Sequence, residues 1–310
     1  HDARGEDTQV RRNTRMTIWL SIIFSALVFP ILYWSEAVLI FLGQSEELSE
    51  TAQEYLRIMA FVMFPALLDI TLRCYLTGLK HTKVVLWATV SGLIFKVITG
   101  WILIFGNFGI QEMGIQGAAF STLGGTLVIL FIFVGYSQSY FPQHELFKNI
   151  WKPDISSLKN IFALGVPIGL TYLAESGLFS GVTIMVGWIG PIEVAAHGIA
   201  MQIMAVTFMV HLGLSQVATT LIGNAYGRKD SLEDLRRIGV CAIIMSAVFA
   251  FMAILVFLLF PATLFSLFID TLGPEGQAVL SVGVGLMIIA ACFQLTDGLQ
   301  AIGLGLLRGM

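Results

Sequence analysis

Three carboxylates lie inside long apolar stretches of this 310-residue chain: Asp69, Glu175 and Asp297. A carboxylate in apolar surroundings can exchange a proton, or be neutralised by a small cation through hard oxygen ligation. Asp297 stands in ACFQLTDGLQAIGLGLLRGM (291–310), with Gln294 and Gln300 three residues to either side on the same helical face and Arg308 at the end. Asp69 stands in FPALLDITLRCYLTGLK (64–80), which has the same layout. Asp69 and Asp297 are 228 residues apart, and so are Lys80 and Arg308. Glu175 lies in GVPIGLTYLAESGLFSG (165–181), with Thr171 and Tyr172 one turn before it and Phe179 one turn after.

The three acids differ in their surroundings. Arg73 is one helical turn from Asp69, and Lys96 lies at similar depth on the next apolar segment. A structural ion pair of Asp69 with Arg73 and Lys96 is therefore expected. Neither Glu175 nor Asp297 has a cationic partner in its own stretch, so these two are expected to bind a cation, H+ or Na+. The plainer alternative is a pair of carboxyls hydrogen-bonded to neighbouring helices. No other metal site is expected, because His197 and His211 are not closely paired and no cysteine stands near them. His197, Met204, His211 and Ser215 recur on one helical face, which lines a cavity with Phe293 or forms a packed polar stripe.

The elements carrying these residues follow from composition. Hydrophobic residues make up 56% of the chain and charged residues 12%, about half the usual share in a soluble domain. Mean hydropathy is +0.84. The chain is therefore an all-α polytopic membrane protein. Eight apolar segments are long enough to cross the bilayer: 17–42, 53–78, 84–105, 115–137, 161–187, 193–221, 240–266 and 278–305. Cys74, Cys241 and Cys292 all fall in apolar stretches and read as small packing residues.

Charge orients the segments. Fourteen of the 17 basic residues lie in alternate connections or at the ends, among them Arg4, Lys83, Lys148, Lys152, Arg236 and Arg308. The intervening connections carry only acids, such as Glu46, Glu112 and Asp270. Both chain ends are thus expected in the cytoplasm. Trp34 and Trp188 are expected near the outer interface, Trp19 and Trp151 near the inner one.

The chain also repeats itself. GEDTQVRRNTRMTIWLSIIFSALVF (5–29) resembles GRKDSLEDLRRIGVCAIIMSAVFAF (227–251), and the offset grows from 222 at Gly5 and Gly227 to 228 at the aspartates. Both copies start on the basic side, so the repeat is parallel. Completing it requires about 70 residues before residue 1 and about 70 after 310, which makes two pseudo-symmetric six-helix bundles, twelve helices in all. The expected organisation is the last four helices of one bundle (1–137), a cytoplasmic linker (138–160) and the first four of the next (161–310). Residue 1 is histidine, which reads as a cut or processed end.

Four stretches resemble one family across nearly the whole chain: GVPIGLTYLAESGLF (165–179), VAAHGIAMQI (194–203), LIGNAYGRKD (221–230) and DGLQAIGLGLLRG (297–309). The chain resembles the multidrug and toxic compound extrusion (MATE) transporters. That resemblance implies twelve helices and export of organic cations, drugs and other amphipathic compounds in exchange for Na+ or H+ by alternating access. By motif position, the family's cation-binding acids match Glu175 and Asp297. A tyrosine present in some members four residues before the aspartate is Phe293 here. The resemblance implies a substrate cavity that includes Tyr172, Phe179, His197, Met204, Phe293, Gln294 and Gln300. It also implies a bacterial inner membrane location, a monomer whose partners are the lipid bilayer and small substrates, no nucleic acid, and no cofactor beyond the coupling ion.

Two alternatives stand beside this reading. A flippase for a lipid-linked oligosaccharide would need a cationic cavity for phosphate, and the unpaired charges here are acidic. A membrane-embedded enzyme would need a catalytic motif, and no HExxH, GxSxG or His-Asp cluster occurs.

Overall fold

A computed structural model describes residues 7–41, 46–109, 111–146, 154–270 and 273–310. The regular structure among them is helical. In chain order the α-helices are α1 (Asp7–Tyr33), α2 (Ser35–Phe41), α3 (Glu46–Gly78), α4 (Thr82–Phe105), α5 (Gly114–Tyr140), α6 (Ile155–Gly187), α7 (Pro191–Arg228), α8 (Leu232–Leu259), α9 (Pro261–Ser266) and α10 (Pro274–Gly309). Eight of these are long and apolar enough to cross a membrane; α2 and α9 are too short. The protein is an integral membrane protein, because helices satisfy their own backbone in lipid.

The repeat is visible as a doubled pattern of long, short and long helices. It appears first as α1, α2 and α3, then as α8, α9 and α10. The starts of α1 and α8 are 225 residues apart, the offset of the paired arginines Arg11-Arg12 and Arg236-Arg237. Local chemistry places the later breaks. Phe260 leaves the helical region (φ −128, ψ 37) directly before Pro261, as the residue ahead of a proline must when the ring crowds it. Lys229 turns left-handed at φ 60 and ends α7, and its backbone N–H bonds back into the last turn. Ser231 then caps α8, its hydroxyl accepting the N–H of Asp234 at 3.2 Å.

These breaks correct two expected spans. The first segment is helical from Asp7 to Tyr33, not over 17–42, and the seventh from Leu232 to Leu259, not over 240–266. Helical turns continue past the hydrocarbon edge, so Arg11, Arg12 and Arg15 lie on α1 and Arg236 and Arg237 on α8. The polar segment 138–160 is also partly helical, since α5 runs to Tyr140 and α6 begins at Ile155. Lys148, Trp151 and Lys152 of that segment, and Arg4 and Gly5 at the start, lie outside the described residues. The three cysteines are free but exposed, so they face outward rather than filling the core.

The chain forms two compact units that divide between Val166 and Pro167, inside α6. In the first, α3 packs against α1 and α5, and α4 against α5. Its core holds Leu72, Tyr75, Leu76, Ala88, Phe133 and Leu146. The start of α6 is fastened to α1 in this unit. Arg12 pairs with Asp154, and Ser157 donates to Asn13 Oδ1 at 3.0 Å. Asp154 also caps α6, accepting the N–H groups of Ser156 and Ser157 at 3.1 and 3.2 Å.

In the second unit, α10 packs along α7 and α8 over a core of Phe257, Phe265, Met287, Ala290 and Ala291. Here α6 has no extensive helix partner among the described residues. A Cβ at Gly165, Gly169, Gly177 or Gly181 would meet nothing within 4 Å, so close packing at these glycines is absent among the described residues.

Candidate functional site

A cleft of about 320 Å³, including its open mouth, lies in the second unit. Tyr172 and Glu175 of α6 form one side, Phe208, Leu212 and Ser215 of α7 another, and Asp297, Gln300, Ala301, Leu304 and Arg308 of α10 the third. On α10 these residues recur at spacings of three and four, which is one helical face. Asp297 is 9% exposed, and Glu175 is half-buried on the facing helix. The two carboxylates line the same cleft from facing helices.

The α7–α10 wall is fixed by hydroxyl groups on neighbouring backbone. Ser215 Oγ donates to the Ala301 carbonyl at 2.7 Å. Thr219 Oγ1 lies 2.8 Å from both the Ser215 and Gly305 carbonyls and shares its proton between them. Gly305 permits that approach, because a Cβ there would collide with the Ser215 hydroxyl. At the far end, Arg308 donates to the Tyr172 hydroxyl at 2.8 Å and sits over the ring.

Four of the expected site residues meet in this cleft: Glu175, Asp297, Tyr172 and Gln300. Five do not line it. Gln294 is buried and bonded to His211 and Thr207. Met204 packs against the apolar core. His197 lies 3.4 Å from the Thr183 hydroxyl. Phe179 is half-buried on α6, and Phe293 is 39% exposed. Arg308 joins the cleft although it was not expected there. The spacing of four, three and four residues from Asp297 through Ala301 and Leu304 to Arg308 is the signal that could have placed it.

Asp69 does not make the expected close ion pair with Arg73 or Lys96, although Arg73 one turn away still acts on its charge. Asp69 is buried at 5% exposure, and its Oδ1 has no hydrogen-bond partner. Neither Arg73 nor Lys96 comes within 4 Å of it; both side chains are exposed. Asp69 lies nine residues before the end of α3, while Lys96 lies 14 after the start of α4. At 1.5 Å per residue the two differ in depth by about 7 Å.

No group of three or more His, Cys, Asp or Glu able to hold a metal ion occurs among the described residues. A cation held by Glu175 and Asp297 would therefore complete its shell with neutral oxygens, which Gln300 and Ser215 supply in the same cleft.

Comparison with known proteins places these features in context. Residues 4–102 and 167–310 match the MatE family. The chain is 40% identical over 309 residues to a probable multidrug resistance protein NorM from Rhizobium meliloti, covering 99% of this chain and 66% of that one. It is 36% identical to the probable multidrug resistance protein NorM of Agrobacterium fabrum, again spanning 66% of its length. The chain thus spans just under two thirds of these relatives. In structure it is similar to the eukaryotic MATE transporter AtDTX14, with a TM-score of 0.80, 16% identity, and coverage of 99% of this chain and 67% of that one. That likeness concerns the fold.

Proposed function

The chain belongs to the MatE family, and we propose that it works as a cation-coupled antiporter exporting organic cations and other amphipathic compounds. The observation that carries this reading is that Glu175 and Asp297 line one cleft from two apolar, membrane-length helices. Two carboxylates in one cleft repel each other in low dielectric, and a bound H+ or Na+ relieves that repulsion. A cationic drug relieves it too. Drug and coupling ion therefore compete for the same negative charge, and each weakens the other's binding. Competition of this kind, combined with alternating access, converts an inward ion gradient into outward drug movement.

Arg308 lines the same cleft and is held by Tyr172. It lies 11 residues beyond Asp297, about 16 Å along α10. Tyr172 and Phe208 supply apolar surface with little shape demand, which suits varied substrates. The lipid-linked sugar alternative fits less well, because its phosphates would face two carboxylates. Basic residues gathered at alternate connections support cytoplasmic chain ends in a bacterial inner membrane.

Ethidium efflux tests the reading. Gradient-driven efflux should fall to the background of empty vesicles in Glu175→Gln and in Asp297→Asn, with each variant present at wild-type levels. Efflux indifferent to both substitutions sinks the assignment. Varying Na+ at fixed pH, and pH at fixed Na+, identifies the coupling ion.

A further inference from the structure

Directly behind the cleft wall lies a buried polar chain that the proposed antiport leaves unused. His211 of α7 is fully buried where α7, α8 and α10 meet. Its Nδ1 is 2.8 Å from Ser246 Oγ of α8, and its Nε2 is 3.1 Å from Gln294 Nε2 of α10. Gln294 is 1% exposed, and its Oε1 accepts from Thr207 Oγ1 of α7 at 3.2 Å. The neutral imidazole has one N–H and one bare nitrogen, so it donates to one of Ser246 and Gln294 and accepts from the other. Every polar atom of the imidazole is thereby committed to a different helix.

The ring also packs closely against the α10 backbone. One turn beyond Gln294 stands Gly298, where an added Cβ would be 2.6 Å from His211 Cε1 and 2.8 Å from Nδ1. Phe249 of α8 meets the ring edge-on with centroids 5.3 Å apart. Gln294 and Gly298 bracket Asp297, which lines the cleft. On the α7 side, Leu212 and Ser215 carry the wall from next to His211 into the cleft itself. Rotating α10 about its axis would break the Gln294 bond and drive the Gly298 backbone against the ring. Sliding it would do the same.

We propose that His211 is a positioning residue for the coupling-cation site: through Gln294 and Gly298 it holds α10 in the rotation that presents Asp297 to the cleft. This rests on the reading of Asp297 as a cation ligand. His211 itself touches neither cation nor drug. Its role is that of an outer partner fixing a ligand's orientation. Losing it should loosen the geometry of Asp297 without removing its charge. Cation affinity should then fall, while turnover at saturating cation is spared.

The test is ethidium transport in proteoliposomes, measured as a function of Na+ or proton concentration. His211→Ala should raise the half-saturating cation concentration by about tenfold, the lower end of what outer-partner loss costs a metal site. The maximal rate should stay within about twofold. His211→Asn, which restores one donor and one acceptor, should recover part of the shift. Ser246→Ala deletes a single oxygen and decides the matter if His211→Ala fails to fold; it should shift half-saturation in the same direction by a smaller factor. An unchanged half-saturation in the folded variants overturns the proposal, as does a loss of maximal rate alone, which marks a merely structural role. Asp297→Asn, run in parallel, reports on the underlying site. If its cation dependence equals that of the wild type, the cation-ligand reading fails, and the positioning role falls with it.

Discussion

The Arg308 guanidinium donates to the Tyr172 hydroxyl at 2.8 Å and lies 5.0 Å from the centre of its ring. This contact ties α6 to α10 in the cleft that Asp297 also lines. It combines a hydrogen bond from a charged donor with a cation–π contact, together worth about 1–2 kcal/mol where water still reaches. Tyr172→Phe, Arg308→Ala and the double variant form a cycle for half-saturating ethidium. The contact predicts a coupling of about 1 kcal/mol, so the double variant is little worse than the worse single. Additive effects would mean that the contact contributes nothing.

Close approach at Gly298 yields a stability prediction. Gly298→Ala places a methyl group against the His211 ring and should destabilise the protein by about 1–3 kcal/mol, as overpacking does. Gly303 lies on the same helix with nothing within 4 Å of an added Cβ. Gly303→Ala should be neutral, or stabilising by up to about 1 kcal/mol, because alanine favours the helix. Thermal unfolding in detergent micelles compares the two. Equal shifts would contradict the packing described for His211.

Asp69 has no close ion pair to lose. Lys96→Ala should change stability by less than about 0.5 kcal/mol, the usual range for an exposed side chain without a specific partner, and Arg73→Ala, which removes a longer-range attraction to Asp69, by no more than about 1 kcal/mol. Denaturation midpoints check this. A loss of about 3 kcal/mol, typical of breaking a buried pair, would show that the pair exists in the membrane.

The clamp at the start of α6 has a pH signature. The Arg12 guanidinium, then the Ser156 hydroxyl and the Ser157 amide, hold the Asp154 carboxyl well below the usual carboxylate range. A folded-state value below the unfolded one stabilises the fold above the unfolded value and loses that contribution as pH falls through the folded one. Asp154→Asn should therefore lower the melting temperature by the same margin at every pH from about 5 to 9, and the gap should close only in stronger acid. A gap that narrows between neutral and alkaline pH would contradict the assignment.

Much of the fold is legible from apolar runs of bilayer length, which can be read without knowing any neighbour. The break before Pro261 is legible too, since proline constrains the residue ahead of it. Helix ends are harder. Arg11 and Arg12 continue α1 beyond the apolar run, and hydropathy says nothing about turns outside the hydrocarbon. In the site, Glu175 and Asp297 stand out because an acid in lipid is costly. Met204 and Gln294 do not resolve in the same way. Periodicity shows that they share a face with their neighbours, while only the packing shows that the core and His211 cover them. Spacing likewise brings Asp69 and Arg73 within one turn, yet the boundary between buried and exposed faces of α3 falls between them.

The most direct test of the account is the affinity of the reconstituted protein for tetraphenylphosphonium, measured by equilibrium binding across a series of Na+ concentrations and of pH. In the wild type, rising concentration of one of these ions should weaken drug binding by about fivefold or more, the usual scale of coupling between two sites. In Asp297→Asn and Glu175→Gln that dependence should vanish. Drug affinity that responds to neither ion in the wild type, or responds equally in the two variants, would contradict a shared carboxylate site for drug and cation.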